Sequence, residues 1–422
     1  MVTTERRAPA HAAPNVVLVL ADDLGIGDLG CYGSPLIRTP HVDALARTGL
    51  RAEAMYAAAA TDTPSRAGLF TGRHGARYGL PASLGPDSTA GLPADAVTVA
   101  SSLRAAGYAT GLFGQWRLGG AEGSHPLDHG FGRFTGSLYG TDVSPVEWVD
   151  GRDAVGELDP ATATRRIADD AVSFAQEVGA GDGRGAAGRR PYLAVLSLLA
   201  PHAPFAAEEP DRGRSRAGLY GDVVETLDDA VGDLVRRLRR LRRRDERTLV
   251  VVTSDNGPAY EGRTQRRRGR KPEVFDGGVR VPFVASWLDG GRGVRDAVPR
   301  SLLDVTPTLA ALAGAGAPED LDGQDFSALL TGGRAADRGP VPLFAGPHLN
   351  AIRSGRWKLH VAFGADQRQY MPQLYDLEAD VRENYNVATL HPDVVDQLTG
   401  RLEAVRADVA AEAAARTPGE AA

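Results

Sequence analysis

Four residues with oxygen ligands in their side chains lie directly after two long apolar runs of the chain: Asp22, Asp23, Asp255 and Asn256. The runs, residues 15–20 and 248–253, are β-branched and aliphatic, which is typical of strands buried on both faces. Open α/β sheets place their ligands outside the carboxyl ends of such strands. Hard oxygen donors suit Ca²⁺ or Mg²⁺ better than zinc. A single Asp here would more simply cap a helix, but the two pairs together predict a metal site.

A further carboxylate, Asp62, begins the segment Asp-Thr-Pro-Ser-Arg-Ala-Gly-Leu-Phe-Thr-Gly-Arg, residues 62–73. Pro64 favours the first turn of a helix, where its missing N–H costs nothing. We expect the N–H groups after Pro64 to be unpaired and to face an anion pocket at the positive end of the helix dipole. Arg66 adds a planar fork that suits a tetrahedral oxyanion. A carboxylate at the head of this positive site requires a partner, most simply a metal cation.

Strand and helix patterns alternate along most of the chain. Residues 108–113 and 192–198 are apolar enough for two more buried strands, and apolar residues recur at helical spacing in residues 97–106, 161–178 and 220–241. This alternation predicts an α/β fold with a mostly parallel sheet between helices. The Arg-rich face near the end of the predicted helix at residues 220–241 has no interleaved aromatic residues. We therefore expect this face to be solvated and not to bind nucleic acid.

Two regions depart from that pattern. Residues 121–159 are Gly-rich without clear periodicity, and we expect them to form loops over the site. Near the end, residues 350–361 predict a hairpin, residues 373–377 a short strand and residues 391–415 an amphipathic helix. The predicted organisation is a disordered tail, a large catalytic domain and a small C-terminal subdomain with an antiparallel sheet, at residues 1–14, 15–340 and 341–422.

Composition excludes several classes of function. A net charge of −6 gives no reason to expect nucleic acid or an anionic membrane as a partner. The single cysteine, Cys31, excludes an internal disulfide and a cysteine metal cluster. The apolar run at residues 16–20 is too short for the core of a signal peptide, and no stretch approaches transmembrane length. We therefore expect a cytoplasmic protein.

The segment that begins at Asp62 resembles the signature of the type I sulfatases, within the alkaline phosphatase superfamily. That signature has Cys or Ser, any residue, Pro, Ser, Arg, and later Thr-Gly-Arg. In the family the leading Cys or Ser is oxidised to formylglycine, and the hydrate of formylglycine is the nucleophile. Asp62 stands at this position and cannot become formylglycine, so no formylglycine is expected here.

Other motifs extend the resemblance from residue 15 to about residue 398. It implies an alkaline-phosphatase-like α/β fold, with a large mixed, mostly parallel sheet between helices and a small C-terminal antiparallel sheet. The family sequence Gly-Lys-Trp-His-Leu-Gly appears with Gln115 and Arg117 in place of its Lys and His. His202 matches a Pro-His-x-Pro element, and Lys271 lies five residues before Asp276, where a Glu-Gly-Gly-x-Arg-Val-Pro motif begins in the family.

The resemblance implies a role for each matched position. The two pairs of oxygen donors named first would bind the cation, and Asp62 would replace the formylglycine oxygen as a further ligand, balanced by the cation and by Arg66. Residues matching His202 and Lys271 contact the sulfate and the leaving group, and Arg66 supports the nucleophile. The family's Lys and His at positions 115 and 117 support the nucleophile and help to break down its sulfated hydrate, and both are replaced here.

These patterns predict a cation-dependent enzyme that acts on a small sulfate-type or phosphate-type ester, by hydrolysis or by transfer to an acceptor. Ca²⁺ is the expected cation, with Mg²⁺ or Mn²⁺ as alternatives. Asp62 would attack directly, or act as ligand and base for water or an acceptor. A frame slip would instead make Thr61 or Thr63 the nucleophile. The alternative function is a non-catalytic homologue that binds a sulfated or phosphorylated ligand.

Overall fold

The computed structural model describes residues 13–80, 82–143, 145–181, 190–243, 246–362 and 371–416. The predicted N-terminal tail lies outside the described residues except for its last two positions. The strands are β1 (Asn15–Ala21), β2 (Leu50–Ala52), β3 (Met55–Tyr56), β4 (Ala109–Gln115), β5 (Arg133–Ser137), β6 (Glu147–Asp150), β7 (Asp153–Glu157), β8 (Tyr192–Ser197), β9 (Thr248–Ser254), β10 (Arg280–Val281), β11 (Phe283–Trp287), β12 (Val294–Asp296), β13 (Arg300–Ser301), β14 (Val341–Ala345), β15 (His348–Ser354), β16 (Trp357–His360) and β17 (Gln373–Asp376). The α-helices are α1 (Pro40–Thr48), α2 (Asp62–Thr71), α3 (Val99–Ala105), α4 (Pro160–Ala180), α5 (Gly218–Leu241), α6 (Asp276–Val279), α7 (Val305–Ala313), α8 (Ser327–Leu330) and α9 (Pro392–Arg416).

A ten-stranded sheet organises the large domain, in the order β12-β2-β11-β9-β1-β8-β4-β5-β6-β7. The five central strands, from β9 to β5, run parallel, whereas β11 and β6 join them antiparallel on either side. The predicted fold class, a large mixed and mostly parallel sheet with a small antiparallel sheet near the C-terminus, is confirmed. The carboxyl ends of the parallel strands therefore meet at one edge, where the predicted ligands lie.

Alternate residues of β1 explain why helices cover both faces of the sheet. Val17 and Val19 pack in one core with α1, α4 and α5, whereas Val16 and Leu18 pack in a second core with α2, α3 and α7. Each fully buried aliphatic side chain contributes about 1.5–3 kcal/mol. This double burial accounts for the uninterrupted apolar character of the strand.

The prediction of loops for residues 121–159 was wrong in part, because β5, β6 and β7 lie within this segment. Strand β5 pairs with the buried strand β4, and β6 and β7 continue the sheet outward to an exposed edge. Hydrogen bonds from a neighbouring strand, and not a periodic pattern of its own, fix this Gly-rich segment.

The C-terminal strands β14 to β17 form a separate antiparallel sheet against which α9 packs. The hairpin between β15 and β16 and the strand β17 agree with the sequence pattern. The domain boundary near residue 340 stays a prediction. Among the described residues, no helix combines the length and apolar character needed to cross a membrane.

His74 lies between the large domain and the C-terminal sheet. Its ring packs against Phe344 with 4.5 Å between the ring centroids, and its backbone N–H donates to Asp322 at 2.8 Å. Burial lowers the pKa of His74 to about 4, because a buried imidazolium ion loses its hydration. The ring is therefore neutral in the folded protein at neutral and mildly acidic pH.

Replacing His74 by Phe should make stability less sensitive to acid. An unfolded histidine has a pKa of about 6.5, so the unfolded chain binds more protons than the folded one between about pH 6.5 and pH 4, and stability falls as the pH falls. From pH 7 to pH 5 the wild type should lose about 2 kcal/mol more than His74→Phe, measured by urea unfolding at both values. The contributions of other titrating groups are the same in both proteins and cancel in the comparison. Equal losses of stability would therefore contradict the lowered pKa of His74.

Candidate active site

The ends of β1 and β9 bring the two predicted pairs of oxygen donors together. The strands are adjacent and parallel, with Ala21 opposite Ser254, and the N–H of Asp255 donates to the carbonyl of Ala21 at 3.1 Å. Asp23 takes a left-handed backbone conformation with φ of 64°. The Asn256 amide donates to the Asp23 carboxylate at 2.6 Å and holds that turn.

Asp62 is the first residue of α2, and every residue of this helix is buried. The N–H groups after Pro64 were expected to be unpaired, but the N–H of Ser65 donates to the carbonyl of Thr61. The helix starts two residues before Pro64 and so already pairs this N–H within its own first turn. The Ser65 hydroxyl donates to the carbonyl of Asp255, which fastens α2 to the end of β9.

Both oxygens of the Asp62 carboxylate contact cations. Arg117 Nη1 donates to Oδ2 at 2.9 Å, and Lys271 Nζ donates to Oδ1. The Lys271 ammonium also donates to Asp23 Oδ1 at 2.7 Å. Arg117 and Lys271, from two different loops, therefore neutralise the charge at the head of α2.

The expectation that Arg66 balances Asp62 was wrong. Arg66 Nε and Nη2 both lie 2.8 Å from Asp255 Oδ2, and Nη1 donates to the Ser197 hydroxyl at 2.7 Å. The Arg66 side chain thus extends to the ends of β9 and β8 and away from the first residue of its own helix. Asp255 is fully buried there and has the greater need of a counter-charge.

Gln115 and Arg117, the two residues that depart from the family motif, are connected to each other and to the acids. Gln115 is the last residue of β4; its amide group donates to Asp22 Oδ2 and to the carbonyl of Leu198. Its amide oxygen accepts from Arg117 Nε at 3.0 Å, while Arg117 Nη2 lies 3.3 Å from Asp22 Oδ2. Gln115 thus orients the guanidinium group that contacts Asp62.

His202 lies beside the acid cluster formed by Asp22, Asp23, Asp62 and Asp255, and the contacts of its ring show which nitrogen carries a proton. Its Nδ1 lies 2.5 Å from the carbonyl oxygen of Ala203 and 3.1 Å from the Thr141 hydroxyl. A carbonyl oxygen can only accept, so Nδ1 carries a proton. In the neutral ring Nε2 is then unprotonated, and it lies 3.9 Å from Asp23 Oδ2.

Four carboxylates share this site with three permanent cations: Asp22, Asp23, Asp62 and Asp255 face Arg66, Arg117 and Lys271. Burial and the neighbouring Asp22 raise the pKa of Asp255 to about 7. Burial would also raise the pKa of Asp22, but Arg117, His202 and Arg66 outweigh it and hold that pKa well below its usual range. When all four acids are ionised, the site carries one negative charge in excess, which a bound cation would neutralise.

The donor set fits a hard divalent cation. Asp22 Oδ1 and Asn256 Oδ1 are buried without a hydrogen-bond partner, and an unpartnered buried oxygen is costly. One carboxylate oxygen from each of Asp22, Asp62 and Asp255 lies within 4.8 Å of the others. Oxygens gathered in this way match the coordination that Ca²⁺ or Mg²⁺ requires. The role of Asp22, Asp23, Asp62, Asp255 and Asn256 as metal ligands stays a prediction.

The segment that covers Arg117 lies within residues 121–159, which were predicted to form loops over the site, but sequence reasoning missed the contacts of its residues. Asp142 Oδ1 lies 3.1 Å from Arg117 Nη1, and Thr141 contacts His202. Between β5 and these residues, Gly140 lies so close to the guanidinium that an added Cβ would meet Arg117 Nη2 at 1.9 Å. A glycine beside two polar residues in a segment without periodicity was the one available signal.

The fold and this site define a class of protein. The sulfatase family model matches residues 14–315, and the chain belongs to this family, the type I sulfatases of the alkaline phosphatase superfamily. The resemblance drawn from the motifs is confirmed. The chain is 37% identical to human arylsulfatase A in an alignment of 444 positions, gaps included, that covers 91% of this chain and 86% of the human protein.

Mouse steryl-sulfatase is 36% identical to this chain, and the alignment covers 77% of this chain and 66% of the mouse protein. Among solved structures, the PsFucS1 sulfatase from Pseudoalteromonas sp. superposes with a TM-score of 0.83 at 25% identity, covering 95% of this chain and 91% of that one. Ps i-CgsB in complex with k-i-k-neocarrahexaose has a TM-score of 0.80 at 28% identity, with coverages of 93% and 92%. The chain thus resembles sulfatases over nearly its whole length.

Calcium should stabilise the protein through this site. A ligand at 100 times its Kd adds about 2.7 kcal/mol to stability, which for a chain of this size raises the thermal unfolding midpoint by about 3–5 °C. Asp22→Asn should abolish most of this gain, because it removes a charged oxygen ligand. In the control Asp222→Asn the gain should persist, because Asp222 is also buried but accepts from the backbone of Gly213 and Ser215. Equal stabilisation of Asp22→Asn would contradict the assignment.

Proposed function

We propose that this protein hydrolyses a sulfate ester in a cation-dependent reaction that uses Asp62 and not formylglycine. The observation that carries the proposal is the position of Asp62 at the head of α2, among the acids of the cluster and in contact with Arg117 and Lys271. Membership of the sulfatase family supports the class of reaction. Transfer to an acceptor alcohol or amine would use the same groups.

A divalent cation would supply positive charge to the non-bridging oxygens of the sulfuryl group. Its proposed ligands are the oxygen donors at the ends of β1 and β9 together with the first residue of α2: Asp22, Asp23, Asp255, Asn256 and Asp62. Ca²⁺ is preferred because carboxylate and amide oxygens surround the site and histidine contributes only at its margin.

Lys271 and His202 are the groups that reach the substrate side of the cluster. Their side chains are 17% and 18% exposed, whereas those of Asp22 and Arg66 are fully buried. Lys271 would place its charge beside the sulfuryl oxygens. The imidazolium form of His202 would donate its Nε2 proton to the departing ester oxygen, because Nδ1 is already bound to the carbonyl of Ala203.

Asp62 fits the role of a ligand better than that of a nucleophile. Each of its oxygens accepts a charge-assisted hydrogen bond, from Arg117 on one side and Lys271 on the other. Such bonds stabilise the carboxylate anion and reduce its tendency to attack. We therefore propose a single in-line step in which the water oxygen bonds to sulfur while the ester S–O bond breaks. His202 protonates the departing ester oxygen, and the proton of the attacking water leaves with the product as hydrogen sulfate, which releases it to solvent and allows His202 to be reprotonated.

Activity assays test the proposal directly. The panel should contain an aryl sulfate, a steryl sulfate, k-i-k-neocarrahexaose, phosphate mono- and diesters and sulfamates, each with Ca²⁺ and with EDTA. We expect turnover of a sulfate ester that EDTA abolishes, and a loss of about 100-fold or more in kcat/KM for Asp62→Ala and for Lys271→Ala. Arg240→Ala, exposed at the far end of α5, should retain full activity. Absence of turnover with every ester, or turnover that Asp62→Ala leaves unchanged, would refute the proposal.

A second candidate is a non-catalytic binding protein. It is favoured by one observation: Asp62 itself occupies the two cations, Arg117 and Lys271, that would otherwise contact a substrate anion. This candidate predicts that a sulfated ligand raises the unfolding midpoint while no free sulfate accumulates. Release of sulfate under the same conditions would exclude it. The cytoplasmic location stays a prediction.

A further inference from the structure

A second cluster of buried charged and titratable side chains lies behind the candidate active site, between the C-terminal sheet and the loop that carries Lys271. Four of its members are each no more than 1% exposed: Asp276, Lys358, His360 and Glu383. Asp276 is the first residue of α6 and follows Lys271 by five residues. Lys358 and His360 come from β16, so the cluster joins two parts of the chain that are distant in sequence.

Glu383 is the centre of this cluster. Its Oε2 accepts from the backbone N–H of Asp276 at 2.7 Å, and its Oε1 lies 3.0 Å from Lys358 Nζ and 2.8 Å from His360 Nε2. Lys358 Nζ also donates to Asp276 Oδ1 at 2.9 Å. One carboxylate therefore connects the start of α6 to two residues of the C-terminal sheet.

The backbone at Glu383 is itself held in an unfavourable conformation. Its φ is 55°, and the left-handed region costs a non-glycine residue roughly 1–2 kcal/mol. Such strain persists where the surroundings over-determine a conformation, and it often marks a functional position. The carbonyl of Glu383 additionally accepts from Arg268 Nη1 at 2.9 Å, near the start of the Lys271 loop.

The Lys271 loop, residues 268–278, is fixed from two sides. On the active-site side, the N–H of Lys271 donates to the carbonyl of Pro258, and the N–H of Gly257 donates to the carbonyl of Gly278. Pro258 and Gly257 directly follow the predicted ligands at the end of β9. On the opposite side, Glu383 holds the N–H of Asp276, and Phe275 packs against the His360 ring with 4.6 Å between centroids.

A buried ion cluster of this kind contributes little net stability compared with apolar residues of the same volume, because desolvation offsets the attraction between the charges. Its contacts are directional, however, and they fix positions that apolar packing would leave adjustable. A lysine that must place its ammonium group between Asp23 and Asp62 depends on such precision in its loop.

We propose that Glu383 is a positioning residue for Lys271, acting through the backbone N–H of Asp276. The C-terminal sheet then belongs to the catalytic unit, since β16 supplies the partners that hold the Glu383 carboxylate in place. The inference rests on the proposed function for its kinetic consequences, but its structural consequence is independent of turnover.

Hydrogen–deuterium exchange on the full-length, Ca²⁺-loaded protein tests the structural consequence. In Glu383→Gln the backbone amides of residues 268–278 should exchange about tenfold faster or more than in the wild type, because a neutral amide cannot pair with Lys358 as the carboxylate does. The matched control is Asp211→Asn, which neutralises a buried carboxylate held by Arg165 and Arg214. It should leave this loop unchanged. Unchanged exchange in Glu383→Gln, or equal acceleration in Asp211→Asn, would overturn the proposal even if the enzyme is active.

A double-mutant cycle tests whether Glu383 acts through Lys271. Glu383→Gln should lower kcat about tenfold with KM within about threefold, because the fold and the acid cluster remain while the ammonium group is misplaced. In a Lys271→Ala background the same change should have no further effect. Additive losses would show that Glu383 acts elsewhere. Should Glu383→Gln not fold, Glu383→Asp keeps the charge but withdraws it from the Asp276 N–H, and the same expectations apply to it.

Discussion

Buried negative charge without sufficient compensation is the constraint on which the rest of this site depends. Asp22 and Asp255 are fully buried, and Asp23 and Asp62 nearly so, where an unpaired charge costs several kcal/mol. Arg66, Arg117 and Lys271 each contact two of these acids. The distribution of these three cations determines which oxygen atoms remain available to a metal ion.

The departures from the sulfatase motif are physically connected and not independent. A carboxylate at position 62 adds a negative charge where the family has an uncharged formylglycine precursor. Arg117 meets that charge directly, and Gln115 orients Arg117 while also contacting Asp22. A neutral amide at position 115 avoids placing another cation beside the guanidinium group. The three residues therefore form one arrangement around Asp62, consistent with a modified site more than with a decayed one.

The sheet supplies the rigid part of this arrangement, and the loops supply the remainder. Strand ends place Asp22, Asp255 and Gln115 with little freedom, because parallel strands fix their carboxyl ends in register. Lys271, His202 and Arg117 lie on connections whose geometry needs support from elsewhere. The Glu383 cluster behind the Lys271 loop and the Thr141–Asp142 segment over Arg117 are two such supports.

The apolar runs and the residue types at their ends predicted the buried strands and the oxygen donors. The resemblance to the sulfatase motifs added the overall sheet architecture and Gln115, Arg117, His202 and Lys271, whose roles stay predictions. The structure brings these residues together, because the strand ends, the loops that follow them and the first turns of α2 meet at one edge of the sheet. Sequence reasoning could not decide which cation pairs with which acid, so it assigned Arg66 to Asp62 where Lys271 and Arg117 lie. It also missed β5 to β7, Asp142 and Glu383. Their roles depend on contacts between segments far apart in the chain, and only tertiary packing determines those contacts.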